Sequence, residues 1–278
     1  MNETVILSWT ALCFFIYAIS PSLSSLLFPS LSTTFNSQQL SVYGNRFTSF
    51  LHSIIMSLLF LAYWLSPAIL SSHNSSSSSS LPPLFSTKNT IGSYEYFCMN
   101  IMIGYLYYDT LYELFSSFFS FNSKIEIKEN KKKKFDSATL QILLHHLLGI
   151  ISHWLIQYYH SGTASIFLMG IYGAEMSTPF LNISWLLLEL KLKDSSLFFL
   201  NGIILLITFL WRNVLGGFIL YQFYALYDEW NQSTSLSDGT INPLYDQIVY
   251  FMLLIITIFF AALNVIWTLK LLKKAFGR

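Results

Sequence analysis

Apolar and polar positions along this chain do not alternate with a short period. They fall into long apolar blocks separated by polar breaks, near 5–27, 47–70, 96–119, 138–159, 163–189, 198–225 and 248–271. A helix rises about 1.5 Å per residue and a bilayer core is about 30 Å thick, so runs of about 20 apolar residues match a spanning helix. The pattern therefore predicts an all-α polytopic membrane bundle of about seven transmembrane helices. The first block opens with "MNET", which carries no positive charge, and it continues past Pro21. It reads as a retained first span rather than a secretory leader, with a re-entrant path around Pro21 and Pro29 as the alternative.

Composition strengthens this reading. Hydrophobic residues make up 54% of the 278 positions and charged residues only 10%, against about 25% charged in an ordinary soluble domain. With a formal net charge of +1, no nucleic-acid partner is expected; the expected partner is membrane lipid, and protein partners are left open. Cys13 and Cys98 fall in or beside apolar blocks and read as small buried hydrophobes rather than a disulfide framework.

Charge placement predicts orientation. Of the 15 Lys and Arg, all but Lys88 and Arg212 fall on one side of a seven-span chain: Arg46, Lys124, Lys128, Lys131 to Lys134, Lys191, Lys193, Lys270, Lys273, Lys274 and Arg278. Cytosolic loops carry such an excess, so the N-terminus is expected in the lumen and the C-terminus in the cytosol. The opposite loops, 71–95 and 226–247, hold the acceptor sequons Asn74-Ser-Ser and Asn231-Gln-Ser, which are glycosylation candidates. The run Lys131 to Lys134 reads as a solvated cluster that fixes topology; the other reading is attraction to anionic lipid, about 1 kcal/mol per basic residue.

Candidate chemistry lies in the ionisable residues left inside the spans, where they face a protein interior or a hydrated cavity. The stretch "LQILLHHLLGIISHW" brings His145, His146 and His153 into an otherwise apolar helix. At 100° per residue, His146, Gly149, His153 and His160 share an arc, with His145 to one side. Asp109 and Glu113 stand one turn apart in the third span, and Glu175, Thr178, Asn182 and Glu189 form a stripe in the fifth. His52 and Arg212 complete the set, and Arg212 is expected to find a partner among Asp109, Glu113 and Glu175. Two readings follow. The charges neutralise one another between helices, or they line a polar cavity for an amphiphile with His as acid, base or nucleophile. A metal site from His146, His153 and Glu175 has no spacing signature, and none is expected.

Five stretches in order, "RFTSFLHSI", "GYLYYDTLYEL", "LLHHLLGI", "GAEMSTPFLNISWLL" and "LNVIWTLKLLKKAF", resemble the TLC domain. This family includes the ceramide synthases, a translocon-associated membrane protein and a neuronal ceroid lipofuscinosis protein, and the likeness is greatest to the branch called TLC domain-containing protein 4. The resemblance divides the chain into a first span and connector, 1–45, and a TLC domain, 46–275, with the first span packed outside the last six. It implies the endoplasmic reticulum or another endomembrane and a role in lipid homeostasis, with a lipid or fatty-acyl chain bound in an intramembrane polar cavity. Ceramide synthases transfer an acyl group from acyl-CoA to a sphingoid amine, and their His pair matches His145 and His146. Their following His-Asp-x-x-Asp element is missing from "IYGAEMSTPF", where Glu175 is the only charged residue. The chain is therefore expected not to be a ceramide synthase. His145, His146 and Glu175 are catalytic candidates, and His52, Asp109, Glu113, His153, Asn182 and Arg212 cavity candidates. No cofactor is expected; acyl-CoA enters as co-substrate only under an acyltransferase alternative. A cargo receptor or chaperone-like role is the further alternative.

Overall fold

The computed structural model describes residues 2–27, 37–64, 93–123, 137–157, 170–235 and 243–276. Among the described residues all regular structure is helical: α1 (Glu3–Leu27), α2 (Ser37–Trp64), α3 (Ser93–Ser123), α4 (Ser137–Gln157), α5 (Thr178–Glu189), α6 (Ser196–Ser235) and α7 (Pro243–Phe276). A further helical stretch, 170–175, precedes α5. Helices satisfy every backbone group within the segment, which hydrocarbon requires. Glu3–Ser20, Gln39–Ala62, Ser196–Ala225 and Gln247–Phe276 are long and apolar enough to cross a membrane, and Leu140–Ile156 is apolar over a shorter length. The chain is thus an all-α integral membrane protein, as the block pattern predicts. Asn74, Lys131 to Lys134 and His160 lie outside the described residues.

Three boundaries differ from the apolar blocks. Helix α2 begins at Ser37 instead of 47, and its early turns meet α1 through small and hydroxyl-bearing residues. Ser41 Oγ lies 2.9 Å from Tyr17 Oη, and a Cβ at Gly44 would stand 2.7 Å from Ser20 Oγ. Helix α6 is 40 residues long, about 60 Å against a core of about 30 Å. Its last turns therefore take up 226–235, part of the expected 226–247 loop, and carry Asn231. The fifth block, 163–189, is not one helix. A turn at 176–177 separates 170–175 from α5, whose first turn contains Pro179, a residue with no N–H to continue an upstream helix.

The helices gather into two compact units, one formed by 1–48 and 99–154, the other by 49–98 and 155–278. In the first, α1 packs on α3 at small residues. Thr10 Oγ1 lies 2.9 Å from the Gly104 carbonyl oxygen, and a Cβ at Gly104 would stand 2.8 Å from the Ile6 carbonyl oxygen and 3.0 Å from Trp9 Cβ. Close backbone approach of this kind is how helices associate where no hydrophobic gain separates protein from lipid. Cys13, Tyr105 and Tyr108 form the buried cluster, with Trp9, Phe14 and Tyr17 around it. Leu7, Phe15 and Ile19 of α1 point outward. Both cysteines are free and buried, in keeping with their reading as small hydrophobes.

In the second unit α6 packs along α7 and against α5. Asn213 Nδ2 donates to Thr268 Oγ1 at 2.7 Å, and Asn201 Nδ2 donates to Ser184 Oγ at 2.7 Å. Many hydroxyls in the spans instead bond a carbonyl one turn back, among them Thr48 to Gly44, Ser57 to Ser53 and Thr257 to Leu253. This local bond lets Ser and Thr sit in an apolar span at little cost. Gly104→Val should lower the melting temperature in detergent by several degrees, because the added methyls meet backbone and the Trp9 stem. Gly217→Ala, with nothing within 4 Å of its Cβ, should be neutral or stabilising by up to about 1 kcal/mol. Equal effects of the two would exclude α1–α3 packing as the cause.

Candidate functional site

In the first unit the ionisable residues converge on one carboxylate. Asp109, on α3, is 8% exposed and His146, on α4, is 7% exposed. Asp109 Oδ2 lies 3.3 Å from His146 Nε2 and accepts a bond from Tyr105 Oη at 3.2 Å. Its other oxygen accepts from Asn45 Nδ2, on α2, at 3.2 Å. Asn45 is oriented in turn, since its Oδ1 accepts from Tyr108 Oη at 2.9 Å. One carboxylate therefore ties three helices together, and each donor reaches it from a different direction.

The local folding explains the placement. Tyr105 and Asp109 stand four residues apart on α3, so their side chains meet on one face. On α4, His146, Gly149 and His153 are all buried, the arc that helical spacing predicts, while His145 is half-buried beside it. The rings of His145 and His146 are 5.8 Å apart, edge to face. His153 Nδ1 lies 2.6 Å from the Gly149 carbonyl oxygen. A carbonyl only accepts, so this nitrogen carries the proton. Trp154 Nε1 donates to Tyr107 Oη at 3.2 Å, a further α4–α3 tie.

The pair has clear chemical capacity. When the imidazole is neutral and donates from Nε2 to the Asp109 carboxylate, Nδ1 is left as the lone-pair nitrogen. That nitrogen is buried and has no hydrogen-bond partner among the described residues. A carboxylate on one imidazole nitrogen and an open lone pair on the other is the arrangement of a base or nucleophile with a fixed tautomer. Glu113, one turn beyond Asp109, is half-buried and within electrostatic reach of Arg46. Among the described residues no three His, Cys, Asp or Glu side chains gather closely enough to hold a metal ion.

The other candidates belong to the second unit. His52 is buried on α2. Asn182 Nδ2 donates to Ser49 Oγ at 3.2 Å, and Glu175 Oε2 accepts from Thr178 Oγ1 at 2.9 Å. Arg212 Nη1 donates to Ser177 Oγ at 2.8 Å, and its guanidinium stands over the rings of Phe209 and Trp267 at 5.1 and 5.8 Å. Glu175 is within electrostatic reach of Arg212, yet the atom that the guanidinium bonds is a neutral hydroxyl. Sequence reasoning missed Asn45, because it lay just before the apolar block of α2, and Ser177, because a hydroxyl in a span carries no charge signal. Tyr105 had one available signal, its spacing from Asp109.

Replacing Asp109 by Ala removes the acceptor of three donors and should destabilise the protein by about 2 kcal/mol or more, read as a drop in thermal stability in detergent. Asp109→Asn keeps one acceptor oxygen and should cost less. Identical losses would show that the hydrogen-bonded acceptor is not what joins α2, α3 and α4.

Comparison with known proteins agrees with this helical, membrane-embedded arrangement. The TLC domain profile matches residues 42–273. The chain is 29% identical over 134 residues to TLC domain-containing protein 4 A of Dictyostelium discoideum, a match covering 48% of this chain and 46% of that relative's length. No solved structure matches. With most of its length matched by one domain, the chain belongs to the TLC-domain family of membrane proteins.

Proposed function

We propose that this TLC-domain protein acts in lipid homeostasis by binding a membrane lipid or fatty-acyl chain at the polar interior built around Asp109 and His146. The observation that carries the reading is the oriented pair itself. A buried carboxylate–imidazole contact in a membrane helix bundle, with a lone-pair nitrogen left over, offers an amphiphile a hydrogen-bonding head group site within reach of its apolar tail. Support also comes from the likeness to a protein named as TLC domain-containing protein 4 A. The site in this reading comprises His145, His146, Asp109 and Asn45.

A second reading, acyl transfer from acyl-CoA, is favoured by the same contact, because Asp109 supplies from α3 an orienting carboxylate in place of the His-Asp-x-x-Asp element that the fifth block lacks. Under it His146 Nδ1 is the base or nucleophile. Placement in the endoplasmic reticulum or a related endomembrane is part of the proposal and rests on the family resemblance, while the lumenal N-terminus rests on the distribution of Lys and Arg.

The test is mass spectrometry on the purified protein after incubation with labelled acyl-CoA and a mixture of sphingoid and lysolipid acceptors, beside a His145→Ala, His146→Ala double variant. Lipid co-purifying with the wild-type protein and no labelled product is the expected result. A labelled product that disappears in the variant establishes acyl transfer, and neither lipid nor product overturns both readings. Glycosylation mapping checks the orientation: Asn74 should be modified in an endomembrane preparation, and modification of an acceptor site added after Phe276 would reverse it.

A further inference from the structure

Helix α5 begins at the break after the 170–175 stretch, and its start is unusual. The N-cap residue Ser177 has helical backbone angles, φ −84° and ψ −23°, and makes no side-chain cap bond to the first turn. Its hydroxyl is turned to other work, donating to the Ala174 carbonyl oxygen at 3.2 Å and accepting from Arg212 Nη1 at 2.8 Å. The first-turn N–H groups of a helix have no intrahelical acceptor, and the helix dipole makes that end positive. A guanidinium and a helix N-terminus are thus brought together, two positive features joined through one neutral hydroxyl.

Arg212 is the independent half of this observation. It is 7% exposed, and its Nε is buried with no hydrogen-bond partner among the described residues. Glu175 is within electrostatic reach, but its Oε2 is taken by Thr178 Oγ1. With Nη1 on Ser177, Nε is left without a partner among the described residues, and it belongs to the planar Nε–Nη2 edge that matches the two oxygens of a carboxylate. Arg212 lies near the middle of the apolar stretch Ser196–Ala225, beneath the rings of Phe209 and Trp267. An anion reaching it therefore has to arrive attached to something soluble in lipid.

We propose that Arg212 and the N-terminus of α5 form a binding site for the carboxylate of a long-chain fatty acid, held side-on by the Nε–Nη2 edge, with Phe209 and Trp267 against the start of its chain. The site lies in the second unit and stands whether or not Asp109 and His146 bind lipid. Glu175 opposes the ligand's charge and limits its affinity.

Equilibrium binding of tritiated palmitate to the full chain in detergent micelles, with acetate, hexadecanol and hexadecyl phosphate as competitors, tests it. Palmitate should bind, hexadecanol should compete weakly, and acetate should not compete. Arg212→Gln should weaken palmitate binding by about tenfold or more. Glu175→Gln should tighten it, which a merely structural Arg–Glu contact would not do, and this variant decides the matter if Arg212→Gln does not fold. Competition by acetate would make the site a general anion site and overturn the fatty-acid assignment. So would preferential competition by hexadecyl phosphate, equal binding of palmitate and hexadecanol, or palmitate binding unchanged in both variants. The lipid reading of the first unit is judged separately, by His146→Ala in the same assay.

Discussion

The Asp109 carboxylate is the contact on which the first unit depends. In hydrocarbon a charged group without partners costs several kcal/mol, and polar contacts between helices are individually worth about 1 kcal/mol or less. Asp109 escapes the first penalty by collecting donors from Asn45, Tyr105 and His146. In doing so it fixes the azimuth of α2, α3 and α4 about one point. Helix α1 then packs against α2 and α3 at Gly44 and Gly104, with Thr10 bonding the Gly104 carbonyl oxygen and Tyr17 bonding Ser41.

The same contact makes a structural feature chemically capable. A neutral imidazole that donates to the carboxylate through Nε2 keeps its lone pair on Nδ1, and the carboxylate is held in turn by Asn45 and Tyr105. Here Asp109 orients one nitrogen, and the other is buried without a partner among the described residues. That is why the proposed lipid binding and its acyl-transfer alternative are assigned to the same residues.

The second unit solves the burial of Arg212 differently. It uses ring faces and the Ser177 hydroxyl, with the Glu175 carboxylate within electrostatic reach. The Ser177 hydroxyl stands at the break at 176–177. Pro179 sets the break, so the position of a helix start within the fifth apolar block follows from the absence of one N–H.

The sequence by itself determined the class of the protein and the faces of its helices. Block length and sparse charge fixed an all-α membrane chain, and the 3.6-residue repeat placed His146, Gly149 and His153 together and Tyr105 above Asp109. These properties are local, so local spacing reveals them. Tertiary structure alone decided which carboxylate meets His146, that Asn45 completes its shell, and that Arg212 bonds the Ser177 hydroxyl. It also decided how far α2 and α6 continue beyond their apolar blocks. Such contacts join residues that are dozens of positions apart, and their register is set by how closely small residues let two backbones approach. No periodicity within one helix encodes that distance.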